Sequence, residues 1–141
     1  NISAAEADLR SIIARSPDNA TALNALGYTL TNRTDRHDEA RQLIEKALRL
    51  TPNEPAILDS MGWVLYRQGE LEQSLKFLTR AYANFPDPEV AAHLGEVLWV
   101  SGNKAGAMNI WRGAMRQDPQ HPILTETLDR LGIVLQADSE V

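Results

Sequence analysis

The sequence predicts an all-α fold built as an array of antiparallel helix pairs. Three observations carry this reading. Four prolines, Pro17, Pro52, Pro86 and Pro119, close apolar stretches at spacings of 35, 34 and 33 residues. Three glycines, Gly27, Gly62 and Gly95, recur at spacings of 35 and 33, each after a bulky apolar residue and three positions before a leucine. Between these marks the apolar residues return at helical rather than alternating spacing.

The elements follow in order. Ala5, Leu9 and Ile12 form one helix face ahead of Pro17, and it matches only the second helix of the later units. The chain opens on Asn1 without a methionine or a signal-like apolar run, so it reads as a piece of a longer protein, entering an array partway through a repeat. Full units are expected over 18–52, 53–86 and 87–119, after a half unit at 3–17. In the second unit, Leu58, Met61, Gly62 and Leu65 make one helix face, Gly69 breaks the chain, and Leu71, Leu75, Leu78 and Ala81 make the next. Pro86 and Pro88 separate that unit from its successor, because proline is tolerated in the first helical turn and not in the interior. Asp87 is placed to cap the following helix, and Asp18 and Asn53 hold similar places. Residues 120–132 complete the array as a capping helix with Leu124, Leu128 and Leu131 inward and Glu126, Asp129 and Arg130 outward. Residues 133–141 read as a frayed tail, with Ile133, Val134 and Leu135 turned back on the last pair.

Small residues have a mechanical purpose in such pairs. Two helices approach closely only where a side chain is nearly absent, and the cost of glycine inside a helix, about 1 kcal/mol, is then offset by packing. Ala47, Ala81 and Ala114 lie five residues before their prolines, Ile44, Leu78 and Trp111 three residues earlier, and Ala40, Ser74 and Ala107 four residues earlier again.

Composition excludes several functions. The 141 residues carry a net charge of −5 and no cysteine. That removes disulfides, thiol nucleophiles and cysteine-held zinc. The acidic balance argues against a nucleic-acid module, and no stretch reaches the ~18 apolar residues of a membrane span. His37, His93 and His121 lie in different units without metal-ligand spacing. His93 lies near Glu89 and Glu96, a set that could hold a metal or move a proton. A solvated helix face with i,i+4 contacts explains it as well and is the reading adopted. Asp38 with Glu39, and Glu70 with Glu72, stand at second-helix starts, where the helix dipole favours them. No nucleophile motif or phosphate loop is present, so no catalytic residue, metal or cofactor is expected. The acceptor-like triplets Asn1-Ile2-Ser3, Asn19-Ala20-Thr21 and Asn32-Arg33-Thr34 are taken as coincidence.

The runs Leu26-Gly27, Ala40, Ile44, Ala47, Pro52; Met61-Gly62, Ser74, Leu78, Ala81, Pro86; and Leu94-Gly95, Ala107, Trp111, Ala114, Pro119 resemble the tetratricopeptide repeat over about residues 3–131. The family's usual tryptophan is replaced by Leu23, Leu58 and Ala91, and the first unit lacks the turn glycine and has one extra residue near Thr34-Asp35. The resemblance implies a right-handed superhelix whose first helices line a concave groove. Its ligand-facing offsets fall on Asn24, Tyr28 and Thr31; on Asp59, Trp63, Tyr66 and Arg67; and on Ala92, His93, Glu96, Trp99 and Val100. Trp111 falls at a core offset, and Tyr82 and Phe85 at a joint between repeats. Trp63 and Trp99 are expected to face the groove and anchor a partner, since stiff aromatic rings bury area at little entropic cost. The family's carboxylate clamp is excluded. Its places offer Asn24, Tyr28, Ser60, Glu89 and His93, with only Arg67 adding positive charge against Asp59, Glu89 and Glu96.

The stretches 59–69 and 87–99 further resemble the C-terminal repeats of bacterial outer-membrane lipoproteins with long tetratricopeptide arrays. That resemblance implies a non-catalytic periplasmic adaptor, tethered to the outer membrane in the full-length protein. It would bind a carboxy-terminal processing protease and bring it substrates such as cell-wall hydrolases. The alternative function is a self-assembly or cell-envelope scaffold module.

Overall fold

The computed structural model describes residues 1–135, which form eight α-helices and no strand. They cluster into two compact units, one spanning Asn1–Asn84 and a second beginning at Phe85. Residues 136–141 of the expected tail lie outside the described residues.

The first unit holds α1 (Ile2–Arg15), α2 (Ala20–Arg33), α3 (His37–Leu50), α4 (Pro55–Arg67) and α5 (Leu71–Asn84). Helices α2 and α3 pair, α4 and α5 pair, and α4 also packs on both α2 and α3. The core runs through Leu23, Leu26, Leu30, Ile44, Val64 and Leu65, with Leu9 and Ile13 of α1 packed against it.

Each pair closes on its glycine. A Cβ added at Gly27 would stand 2.5 Å from Ile44 Cγ1, and one at Gly62 would stand 2.5 Å from Leu78 Cγ. The missing side chain is what lets the second helix approach. It also explains why serine replaces alanine at position 74. The Ser74 hydroxyl, fully buried, donates to the Gly62 carbonyl at 2.6 Å, so the polar substitute is satisfied inside the pair.

The α4–α5 turn is a glycine stop. Gly69 sits at φ 83°, and Glu70 N donates back to Leu65 O at 2.9 Å, closing the end of α4. The α2–α3 connection has no glycine and turns on a hydroxyl instead. Thr34 Oγ1 donates to Leu30 O at 2.6 Å and accepts from Arg36 N at 3.0 Å. The extra residue and the missing glycine are thus one adjustment.

Capping differs from expectation at two helices. Asn19, not Asp18, caps α2 by accepting from Ala22 N at 3.0 Å. Helix α4 begins after Glu54 without a side-chain cap, so Asn53 does not serve there; Pro55 in the first turn presets the backbone instead.

The second unit holds α6 (Pro88–Val100), α7 (Lys104–Gln117) and α8 (Pro122–Leu131). Asp87 caps α6 as expected, accepting from Glu89 N at 2.6 Å. Trp111 is fully buried, and its ring fills the space over Gly95 that a Cβ would need. The α6–α7 turn repeats the glycine stop, with Gly102 at φ 101° and Asn103 N donating to Leu98 O at 2.9 Å. Helix α8 packs on α6 and α7 and, like α4 and α6, starts on a proline. Val134 is 85% exposed and does not turn back on the last pair. Phe85, expected at a packed joint, is 57% exposed.

Candidate functional site

The candidate residues all lie on the first helices of their pairs, and these helices are built differently from the second helices. In α3, α5 and α7 the buried residues recur at wide intervals, as on a helix with one inward stripe. In α4 every residue from Ile57 to Leu65 is buried, and in α6 every residue from Val90 to Val97. A helix apolar nearly all round is enclosed on several sides. Polar residues riding on it are carried inside.

Burial corrects several expectations, and Thr31 and Ala92, placed at ligand-facing offsets, are fully buried. Trp63, expected open to solvent, is 6% exposed. Its indole N–H donates to Asn32 Oδ1 at 2.8 Å, and its ring leans on Tyr66 with centroids 5.0 Å apart. Asp59 is buried rather than groove-facing. His93, read as part of a solvated face, is buried as well, and Glu96 beside it is 2% exposed. All of these residues have partners of their own.

Arg130 is one partner of Glu96. Arg130, one of the residues expected on an outer polar face, reaches from α8 and grips the carboxylate with two nitrogens, at 2.6 and 3.0 Å. The same guanidinium takes Glu126 at 3.0 Å. The Glu96 contact above all raises the Arg130 pKa further. Glu96 is therefore spent on holding α8 to α6. Position alone hid this, since the partner lies 34 residues away.

The other candidates remain within reach of solvent. In the first unit Arg67 is exposed, and Asn24, Tyr28 and Tyr66 are half-buried. In the second unit Trp99 is half-buried between the Trp111 ring, at a centroid distance of 5.8 Å, and Lys104 Nζ, 4.8 Å from its centroid. Val100 next to it is 49% exposed.

A depression of about 350 Å³ opens in the first unit where the starts of α2 and α4 meet, lined by Ala20, Thr21, Asn24, Thr51, Ala56 and Ile57. Asn24 Oδ1 is closed to solvent there and accepts no hydrogen bond. The sequence marked Asn24 but not its neighbours, because only packing brings the end of α3 and the start of α4 beside it. A second, polar depression of about 690 Å³ lies at the α2–α3 and α4–α5 turns, with Asp38, Glu39, Arg41, Gln68 and Glu70 among its lining. Arg41 bridges Glu45 at 3.2 Å and Glu70 at 3.1 Å, so its charges are largely matched within the chain.

Comparison with known proteins agrees with this architecture. Tetratricopeptide-repeat family profiles match residues 18–87 and 60–122. The TPR repeat-containing protein PA4667 of Pseudomonas aeruginosa is 64% identical over 91 residues, which is 64% of this chain and 15% of that protein. The chain thus spans only a small part of that relative's length. TTC0263, a thermophilic TPR protein of Thermus thermophilus, superposes with a TM-score of 0.75 at 22% identity, over 91% of this chain and 72% of that one. The pilF protein of Pseudomonas aeruginosa superposes at 0.74 with 23% identity, over 94% and 62%. At such identities the solved structures speak for the fold alone. The repeat period, the glycine-closed helix pairs and the profiles running from residue 18 to residue 122 converge on one conclusion: the chain belongs to the tetratricopeptide repeat family.

Proposed function

We propose that this chain is a non-catalytic adaptor module that docks a partner protein on the faces of its first helices. Repeats of this family generally mediate protein–protein interactions. The observation that carries the reading here is the unsatisfied Asn24 Oδ1 at the depression between α2 and α4. A buried acceptor without a donor costs about 1–3 kcal/mol, which a peptide N–H supplied by a partner recovers once the amide turns to meet it. Tyr28, one turn further along α2, adds an aromatic surface.

The finer identity follows the resemblance of 59–69 and 87–99 to LbcA, the outer-membrane lipoprotein partner of a carboxy-terminal processing protease in Pseudomonas. The similarity to a Pseudomonas aeruginosa repeat protein supports it. On this reading the full-length protein is periplasmic and tethered to the outer membrane, and this part binds the protease or presents its substrates. The test is capture of the purified protease by the 141-residue chain, compared with Asn24→Ala/Tyr28→Ala and with Trp99→Ala. Binding weakened by about tenfold or more in the double variant, with helicity intact, supports docking at α2. Undiminished capture by the double variant rejects that site. No capture by the parent chain rejects the protease as partner.

A further inference from the structure

Helix α1 is attached unlike any other helix of its unit. It contains no buried residue, whereas α2, α3, α4 and α5 all do. Its apolar anchorage on the core is Leu9 and Ile13, both half-buried. Its backbone approaches that of α2 but not that of α3. Four long charged side chains of alternating sign also reach between α1 and the start of α3.

Glu6 is the centre of that link. Its carboxylate takes Arg10 Nη2 at 2.7 Å and Nε at 2.9 Å from its own helix. From the start of α3 it takes Arg36 Nη2 at 2.6 Å and Nη1 at 3.0 Å. Glu39 closes the ring, 2.5 Å from Arg10 and 3.6 Å from Arg36. Glu6 is 17% exposed at its side chain, while the other three lie between 40% and 43%. Charges that open to water are screened by salt, whereas apolar contacts are not.

We propose that the Glu6–Arg10–Arg36–Glu39 ring is an electrostatic latch: raising the ionic strength releases α1 from α2 and α3 as one opening unit while the rest of the first unit stays closed. Opening uncovers Leu9, Ile13 and the core surface beneath them.

Amide hydrogen exchange on the 141-residue chain tests the latch. Salt is raised from about 0.01 M to about 1 M, which shortens the screening length from about 30 Å to about 3 Å. Protection in α1 is expected to fall by roughly fivefold or more, with α4 and α5 unchanged. Arg36→Gln and Glu6→Gln are expected to show the fast α1 exchange already at low salt and to lose the salt response. Arg36 lies outside α1, so its effect cannot arise from the helix propensity of α1 itself. Exchange of α1 that tracks α4 at every salt concentration overturns the proposal. So does an Arg36→Gln chain that keeps the parental salt response.

Discussion

The Trp63 indole N–H donates to Asn32 Oδ1 at 2.8 Å, tying the middle of α4 to the last turn of α2. The ring that repeat position alone assigns to an open groove is a brace between two first helices. Exposure of a first-helix residue in this chain has to be read from packing, residue by residue.

The brace makes a stability prediction. Trp63→Ala removes a large side chain that is 6% exposed and is expected to cost about 3 kcal/mol. Trp63→Phe keeps most of the ring and loses the hydrogen bond, at about 1 kcal/mol. Urea unfolding followed by far-ultraviolet circular dichroism separates the two. An alanine variant as stable as the parent contradicts the bracing role.

Gly95→Ala is expected to destabilise the second unit by about 1–3 kcal/mol, because the added methyl meets the Trp111 ring. The indole is itself fully buried and has nowhere to retreat. Gly113→Ala is the control, since its Cβ would meet only Arg116 Nη2 at 3.9 Å. Equal melting temperatures for both variants contradict the close approach of α6 and α7.

Arg130→Ala removes the two-nitrogen grip on the buried Glu96 carboxylate and loosens α8. The arginine side chain is 45% exposed and so is partly screened, which places the expected loss near the lower end for a broken buried pair, about 2–3 kcal/mol. Adding Glu96→Gln removes a buried charge that has lost its guanidinium and is expected to restore part of that loss. A double variant no more stable than Arg130→Ala argues that packing of the arginine stem, not the charge, holds α8.

The latch on α1 also carries a sign in pH. Arg36 and then Arg10 pull the Glu6 carboxyl from an ordinary value of 4.5 down to about 2. A folded pKa below the unfolded one stabilises the deprotonated, closed form. That contribution is fully present above about 4.5 and is lost as pH falls toward about 2. Exchange protection in α1, measured across this window, is expected to decline with falling pH more than that of α4. The difference disappears in Glu6→Gln. A parental profile in the variant assigns the transition to other carboxylates.

Much of the architecture was legible in the chain because its determinants are local and repeated. Proline ends a helix wherever it falls, and Gly62 with Leu78 or Gly95 with Trp111 recur at a fixed offset because each pair must touch there. Ser74, in the place that Ala40 and Ala107 hold in the other pairs, donates to the Gly62 carbonyl, a partner that the spacing does not name. The stretches 57–65 and 90–97 are buried without a break although Asp59, Ser60, His93 and Glu96 lie in them, so repeat position misassigned Trp63, His93 and Glu96 to solvent.

What sequence alone determined is the succession of helices, their pairing and the residues that close each pair. Each of these follows from short-range sterics and helical periodicity. Only the tertiary structure decided which polar groups stay available to a partner. Asn32 comes to Trp63 from 31 residues away and Arg130 to Glu96 from 34. A side chain's exposure is set by whatever distant element lands on it, and no local pattern records that arrival.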